Sequence, residues 1–262
     1  MAELKLALRF YWFAAPEGQA QIEAHTGRRE IQVSIPVEQA ALVLVDVWDR
    51  HYMLSHQERA VRIVREKMAP LVQAGRAAGL TIIHAPAPGA AQKYPQWVRY
   101  ADHADLFGAE RPPEDWPPRE FRERQGEYAQ FSKNWPPPPL KDLIEEQQRT
   151  RLIMSEVAPQ PDDFVVATGA QLHRLCKHRR LLHLFYAGFA ANMCVLYRDY
   201  GLRAMANRGY NCILVRDCTT AIEAAETVDS LLLTEAAIYG VEMLSGFSVT
   251  TEALIAACQG AK

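Results

Sequence analysis

Residues 184–201 read LFYAGFAANMCVLYRDYG. An apolar run halts at Gly188, five residues (FAANM) follow, and a cysteine comes at position 194. We read this as a strand that feeds a helix from about Asn192 to Arg208, the unit from which parallel sheets are built. The same form recurs on both sides. The run AALVLVDV (40–47) is continuously apolar and ends on charge, as a strand buried on both faces does. Behind it, Ser55 is the expected N-cap of a helix whose apolar stripe is Ala60, Val61, Ile63, Val64, Met68, Leu71 and Val72, interrupted at Pro70. Then come LTIIHAP (80–86), DFVVAT (163–168) with the helix GAQLHRLCKHRR, and NCILVRD (211–217) with a long amphipathic helix in AIEAAETVDSLLLTEAAIYG. The tail GFSVTTEALIAACQ reads as a last strand and helix capped by Thr251.

Strands alternating with helices predict a three-layer α/β/α fold with a mostly parallel sheet and right-handed crossovers, in one domain spanning residues 1–262. Two segments stand outside the rhythm. Residues 1–36 are an N-terminal extension of strand character. Residues 86–150 hold eleven of the sixteen prolines and three of the five tryptophans. Rings need burial to be worth having, so this is expected to be an ordered insertion, a lid or an oligomer contact, rather than a linker.

The formal charge of -2 on 262 residues leaves no electrostatic footprint for nucleic acid or an anionic membrane. No apolar run approaches the roughly 18 residues of a membrane span. The apolar start is broken by Arg9 and reads as a strand, not a targeting segment. Five cysteines without regular spacing fit a reducing, cytoplasmic setting better than a disulfide framework. The expected partner is a small molecule, bound by a homo-oligomer.

Ligands of open parallel sheets bind beyond the carboxyl ends of the strands. Those ends carry Asp46, Trp48, Asp49 and His51; His84; Ala167 and Thr168; Gly188 through Cys194; and Asp217. With Asn192 as N-cap, Cys194 falls in the first turn of its helix, where the macrodipole favours a thiolate. Small residues before it allow backbone amides close to an oxyanion, and Asp46 is in place to take the thiol proton. Asp49, His51 and His84 are too sparse for a metal motif, and we expect neither metal nor cofactor.

The segments ALVLVDVWD, PQPDDFVVAT, LFYAGFAANMCVL and GYNCILVRDCTTA together resemble the isochorismatase-like cysteine hydrolases, over roughly residues 38–85 and 150–250. Members of that family cleave C–N bonds of small amides, or a vinyl ether, with an Asp–Lys–Cys triad. The resemblance implies Cys194 as nucleophile, Asp46 as general base, an oxyanion hole from the N–H groups of Ala190 and Cys194, and a cis peptide at Phe189–Ala190. Trp48, Phe189 and Asn192 would wall the substrate pocket. The family's lysine is missing: Ala167 or Thr168 stands at its place. Lys133 and His84 are the candidate replacements. A catalytically silent relative that binds a ligand or protein is the alternative reading.

Overall fold

The computed structural model describes residues 2–99 and 116–261, so residues 100–115 of the proline-rich insertion lie outside the described residues. The strands are β1 (Glu3–Trp12), β2 (Gly27–Pro36), β3 (Ala40–Val45), β4 (Thr81–Ala85), β5 (Phe164–Val165), β6 (His183–Phe189), β7 (Asn211–Thr220) and β8 (Phe247–Val249). They form one sheet in the order β2-β1-β8-β7-β6-β3-β4-β5. From β8 through β5 every pairing is parallel, whereas β1 and β2 form an antiparallel hairpin added at the β8 edge.

Strand alternation divides the core into two layers. Ala40, Leu42 and Leu44 of β3, with Phe185, Ala187 and Phe189 of β6, face the layer containing helices Leu54–Ile63, Ala69–Ala78 and Thr251–Gly260. Ala41, Val43 and Val45, with Leu184 and Tyr186, face the layer containing Gly169–Arg179 and Leu232–Leu244. This is the expected three-layer α/β/α architecture. Because the connection after β3 leads to β4 on one side and that after β6 leads to β7 on the other, a crevice opens between the carboxyl ends of β3 and β6.

The N-terminal extension is locked on by one acid. Buried Glu242 receives Arg9 Nε and Arg28 Nε, each at 2.7 Å, and the Ser248 hydroxyl at 2.5 Å.

Several local expectations are corrected. Ser55 does not cap its helix, which begins at Leu54 behind Met53. Pro70 does not break that helix; a π-helical stretch, Val64–Met68, precedes it and the chain runs on as Ala69–Ala78. The helix expected over 221–240 is only Leu232–Leu244. Glu223 turns back to accept the N–H groups of Leu233 and Thr234, which ends the preceding turns and starts the helix. Thr250 caps the last helix, one residue before the position expected.

Candidate active site

The crevice is shaped by two backbone features. Asp46, just beyond β3, has φ 48°, a left-handed conformation that aspartate tolerates better than most residues. Its N–H reaches Ala85 O at 3.2 Å, and its own carbonyl accepts Trp48 N–H at 2.9 Å. Opposite, β6 brings Gly188 against Val45 with φ 126°. A Cβ there would stand 2.0 Å from Val45 O, so only glycine lets the strands close.

The Phe189–Ala190 peptide is cis, as the resemblance implies. The chain then folds tightly: Ala190 O accepts Met193 N–H at 3.0 Å and Val195 N–H at 3.2 Å. Asn192 is not the cap, and it does not line the cavity at Cys194. Its amide is spent on the backbone of Ile222, donating at 3.0 Å and accepting at 3.1 Å, which braces the loop to the chain beyond β7. The expected helix is also broken, into Cys194–Tyr197 and Leu202–Ala206. The cause is tertiary, for residues 198–200 are drawn aside to serve other groups. Arg198 and Tyr200 reach Asp46, and the Asp199 carboxylate accepts Gly169 N–H at 2.7 Å.

The result is a compact polar centre. Cys194 and Asp46 line the same cavity, and each acts on the ionisation of the other. Arg198 donates to Asp46 Oδ2 from Nε at 3.1 Å and Nη2 at 3.0 Å, and Tyr200 donates to Oδ1 at 3.2 Å. Burial pushes the Cys194 thiol up to about 12, and the Asp46 charge adds to the rise, against the pull of Arg198 and the Ala190 N–H. Burial likewise lifts the Asp46 carboxyl above its usual range, with Arg198 and Cys194 opposing. With its thiol raised this far, the resting sulfur keeps its proton. This corrects the expectation of a preformed thiolate: a four-residue turn supplies little macrodipole, and the carboxylate beside the sulfur disfavours a second negative charge.

The cations here are not the ones the sequence suggested. Lys133 is exposed, and His84 is buried with Nε2 3.1 Å from Asp163 Oδ2, beside Arg76. Neither lines the cavity. The place of the absent lysine is closed, because Thr168 caps the helix Gly169–Arg179 and the Ala167 N–H is taken by Gln171. Arg198 pairs with Asp46 instead. It lies four residues after Cys194, a spacing legible within the sequence quoted at the outset. A second guanidinium, Arg151, arrives from the end of the insertion and lies 3.7 Å over the Trp48 ring.

A cavity of about 90 Å³ opens on the sulfur. Trp48, His51, Tyr52, His56, Phe189 and Met193 wall it, with Asp46, Ala190 and Cys194 at its end. Trp48 and Phe189 are therefore where the sequence put them. Both histidines are neutral at pH 7. Burial and Arg151 lower His51, whose Nδ1 accepts the Met53 N–H, and burial with His51 and Arg59 takes His56 down to about 4. The insertion contributes Trp135, 6.0 Å from Tyr52, and just after it Ile153 pairs with Trp48. Asp49 is occupied by Arg50 and the Leu152 N–H. Among the described residues, no three His, Cys, Asp or Glu side chains gather to hold a metal.

Known proteins share this fold. A cysteine hydrolase from Pseudomonas syringae pv. phaseolicola 1448A has the same fold, with a TM-score of 0.55 at 16% identity, covering 87% of this chain and 96% of its own. An isochorismatase from Pseudomonas putida KT2440 aligns with a TM-score of 0.46 at 15% identity, over 82% of this chain and 90% of its own. Nicotinamidase from Bacillus subtilis aligns at 0.43 and 15%, over 81% and 99%. No curated protein sequence matches. Residues 40–244 match the Isochorismatase domain, and the chain belongs to the isochorismatase-like cysteine hydrolase family.

Proposed function

We propose that the protein is a cofactor-independent cysteine hydrolase that cleaves the C–N bond of a small amide-like substrate. The observation that carries this reading is that Cys194 and the buried Asp46 carboxylate line one cavity of about 90 Å³, with Arg198 paired to Asp46 at 3.0 Å.

With a carbonyl carbon above the sulfur, the thiol proton passes to Asp46 as Sγ attacks. The C=O electron pair moves to oxygen, held by the N–H groups of Ala190 and Cys194. Collapse of the tetrahedral adduct breaks the C–N bond, and the departing nitrogen takes the proton from Asp46. A thioacyl-enzyme remains. Water then attacks it, giving a proton to Asp46. Expulsion of the sulfur releases the acid, and the proton returns to sulfur. Arg198 acts through Asp46. Its charge keeps the carboxylate ionised enough to accept a proton, the task of the absent lysine.

The test is hydrolysis of a panel of short amides followed by ammonia or amine release. Cys194→Ala should abolish turnover and Asp46→Asn should lower kcat by about 10²–10⁴-fold, the range of general acid–base catalysis. An Asp46→Asn enzyme as fast as the parent refutes the scheme. A silent protein would bind ligand without turnover in any variant.

A further inference from the structure

His51 and His56 line the cavity together with Cys194, their rings edge to face with centroids 5.1 Å apart. The backbone fixes which nitrogen of each ring carries the proton. His51 Nδ1 accepts the Met53 N–H at 3.0 Å. A ring nitrogen that accepts carries no proton, so the proton of His51 is on Nε2. His56 Nδ1 stands 3.1 Å from Ala221 O, and a carbonyl oxygen only accepts. There the proton is on Nδ1, and with the ring neutral at pH 7 the lone pair is left on Nε2.

The two nitrogens of an imidazole point to nearly opposite sides, so each Nε2 is turned away from the backbone group that holds its ring. Stacking on Tyr52, with centroids 4.4 Å apart, steadies His51, and His56 packs edge to face against Phe189 at 6.0 Å. Two chemically identical side chains thus present opposite polarity: His51 offers a donor and His56 an acceptor. A carboxylate brings acceptors only and would set a negative oxygen against the His56 lone pair. An ammonium brings donors only and opposes the His51 N–H. A carboxamide brings one of each, and each buried polar group needs its partner.

We infer that His51 and His56 recognise an uncharged carboxamide-like group on the substrate, beyond the carbonyl attacked by Cys194, with His51 donating to its oxygen and His56 accepting its N–H. The substrate class is then a short diamide-like compound rather than an acid or an amine. The position of the scissile carbonyl rests on the reading of Cys194 as the nucleophile, whereas the recognition pair stands on the two tautomers.

Chloroacetamide and chloroacetone are uncharged, share a carbonyl and differ in an amino group against a methyl. Each loses chloride as Cys194 Sγ bonds to its methylene carbon and the thiol proton leaves to solvent. Iodomethane alkylates the same sulfur without any polar group, so rates at the Cys194 peptide taken relative to iodomethane cancel the thiolate fraction. Asparagine can keep the backbone contact of either histidine while removing Nε2. His56→Asn should lower the relative rate of chloroacetamide by about tenfold, as loss of one buried hydrogen bond implies, and leave chloroacetone unchanged. His51→Asn should lower both. Relative rates that change in neither variant, or that fall alike for both reagents in His56→Asn, overturn the inference.

Nitrogen NMR of the imidazoles in the parent protein is a second readout, independent of the thiol and of any variant's folding. It should place the proton on Nε2 of His51 and on Nδ1 of His56, and added malonamide should shift both Nε2 signals. The same tautomer in both rings, or Nε2 signals that malonamide leaves in place, overturns the recognition pair. If no reagent modifies folded Cys194 while malonamide shifts both signals, the nucleophile reading fails and the pair is upheld.

Discussion

Arg198→Ala isolates the most consequential contact in the site. The Asp46 side chain is fully buried, and Arg198 Nη2 lies 3.0 Å from it. At an effective dielectric constant of about 20, that separation corresponds to about 5 kcal/mol. Arg198 is itself 34% exposed, so water screens the pair and we expect a net loss of about 3 kcal/mol near neutral pH. The pH dependence is the sharper reading. Burial already raises Asp46 above its ordinary 3.8, and removal of the cation raises it further. Between the parent's Asp46 value and the variant's, the folded variant carries a proton that its unfolded chain lacks. Its stability therefore falls as pH rises, by up to about 1.4 kcal/mol per unit, while Asp46 adds no such slope in the parent. Urea unfolding of both proteins from pH 5 to 9 measures this. The deficit should widen with pH, and Asp46→Asn in the Arg198→Ala background should recover at least half of it. A deficit that is flat or narrows with pH, or a double variant no more stable than the single, refutes the argument that Arg198 holds a buried charge.

Two further outcomes follow from contacts away from the sulfur. Gly188→Ala puts a Cβ 2.0 Å from Val45 O at the centre of the sheet, and it should cost at least about 3 kcal/mol in urea unfolding or leave the chain insoluble. Full stability would mean β3 and β6 are not so close. For Glu242, burial opposes ionisation, but Ser248, Arg9 and Arg28 outweigh it and hold the carboxyl below its usual 4.5. Its contribution is therefore complete above that value and lost as pH falls through the folded value. Glu242→Gln should cost about 2 kcal/mol at pH 7 and close on the parent toward pH 3 by thermal unfolding, whereas a deficit constant over that range would refute the ion pairs.

Much of this molecule is legible along the chain because its information is local or periodic. The run AALVLVDV is apolar at every position from Ala40 to Val45, and a strand covered on both faces needs just that. Cys194 and Asp46 are read at strand ends, where open sheets bind ligands. These readings hold in the structure. The helix boundaries failed where a side chain within the expected helix is drawn to a backbone group elsewhere, as Glu223 is to Leu233 and Asp199 is to Gly169.

The sequence by itself determined the three-layer architecture, the strand character of the N-terminal extension and the placing of Cys194 and Asp46 at strand ends, because hydrophobic period depends on residues close together. Only the tertiary structure decided which cation serves the aspartate and what state the sulfur rests in. Arg198 stands 152 positions from Asp46, so no local spacing ties that cation to the carboxylate it serves. The thiol's protonation depends on burial and on the carboxylate beside it. Both are properties of a three-dimensional neighbourhood rather than of any stretch of chain.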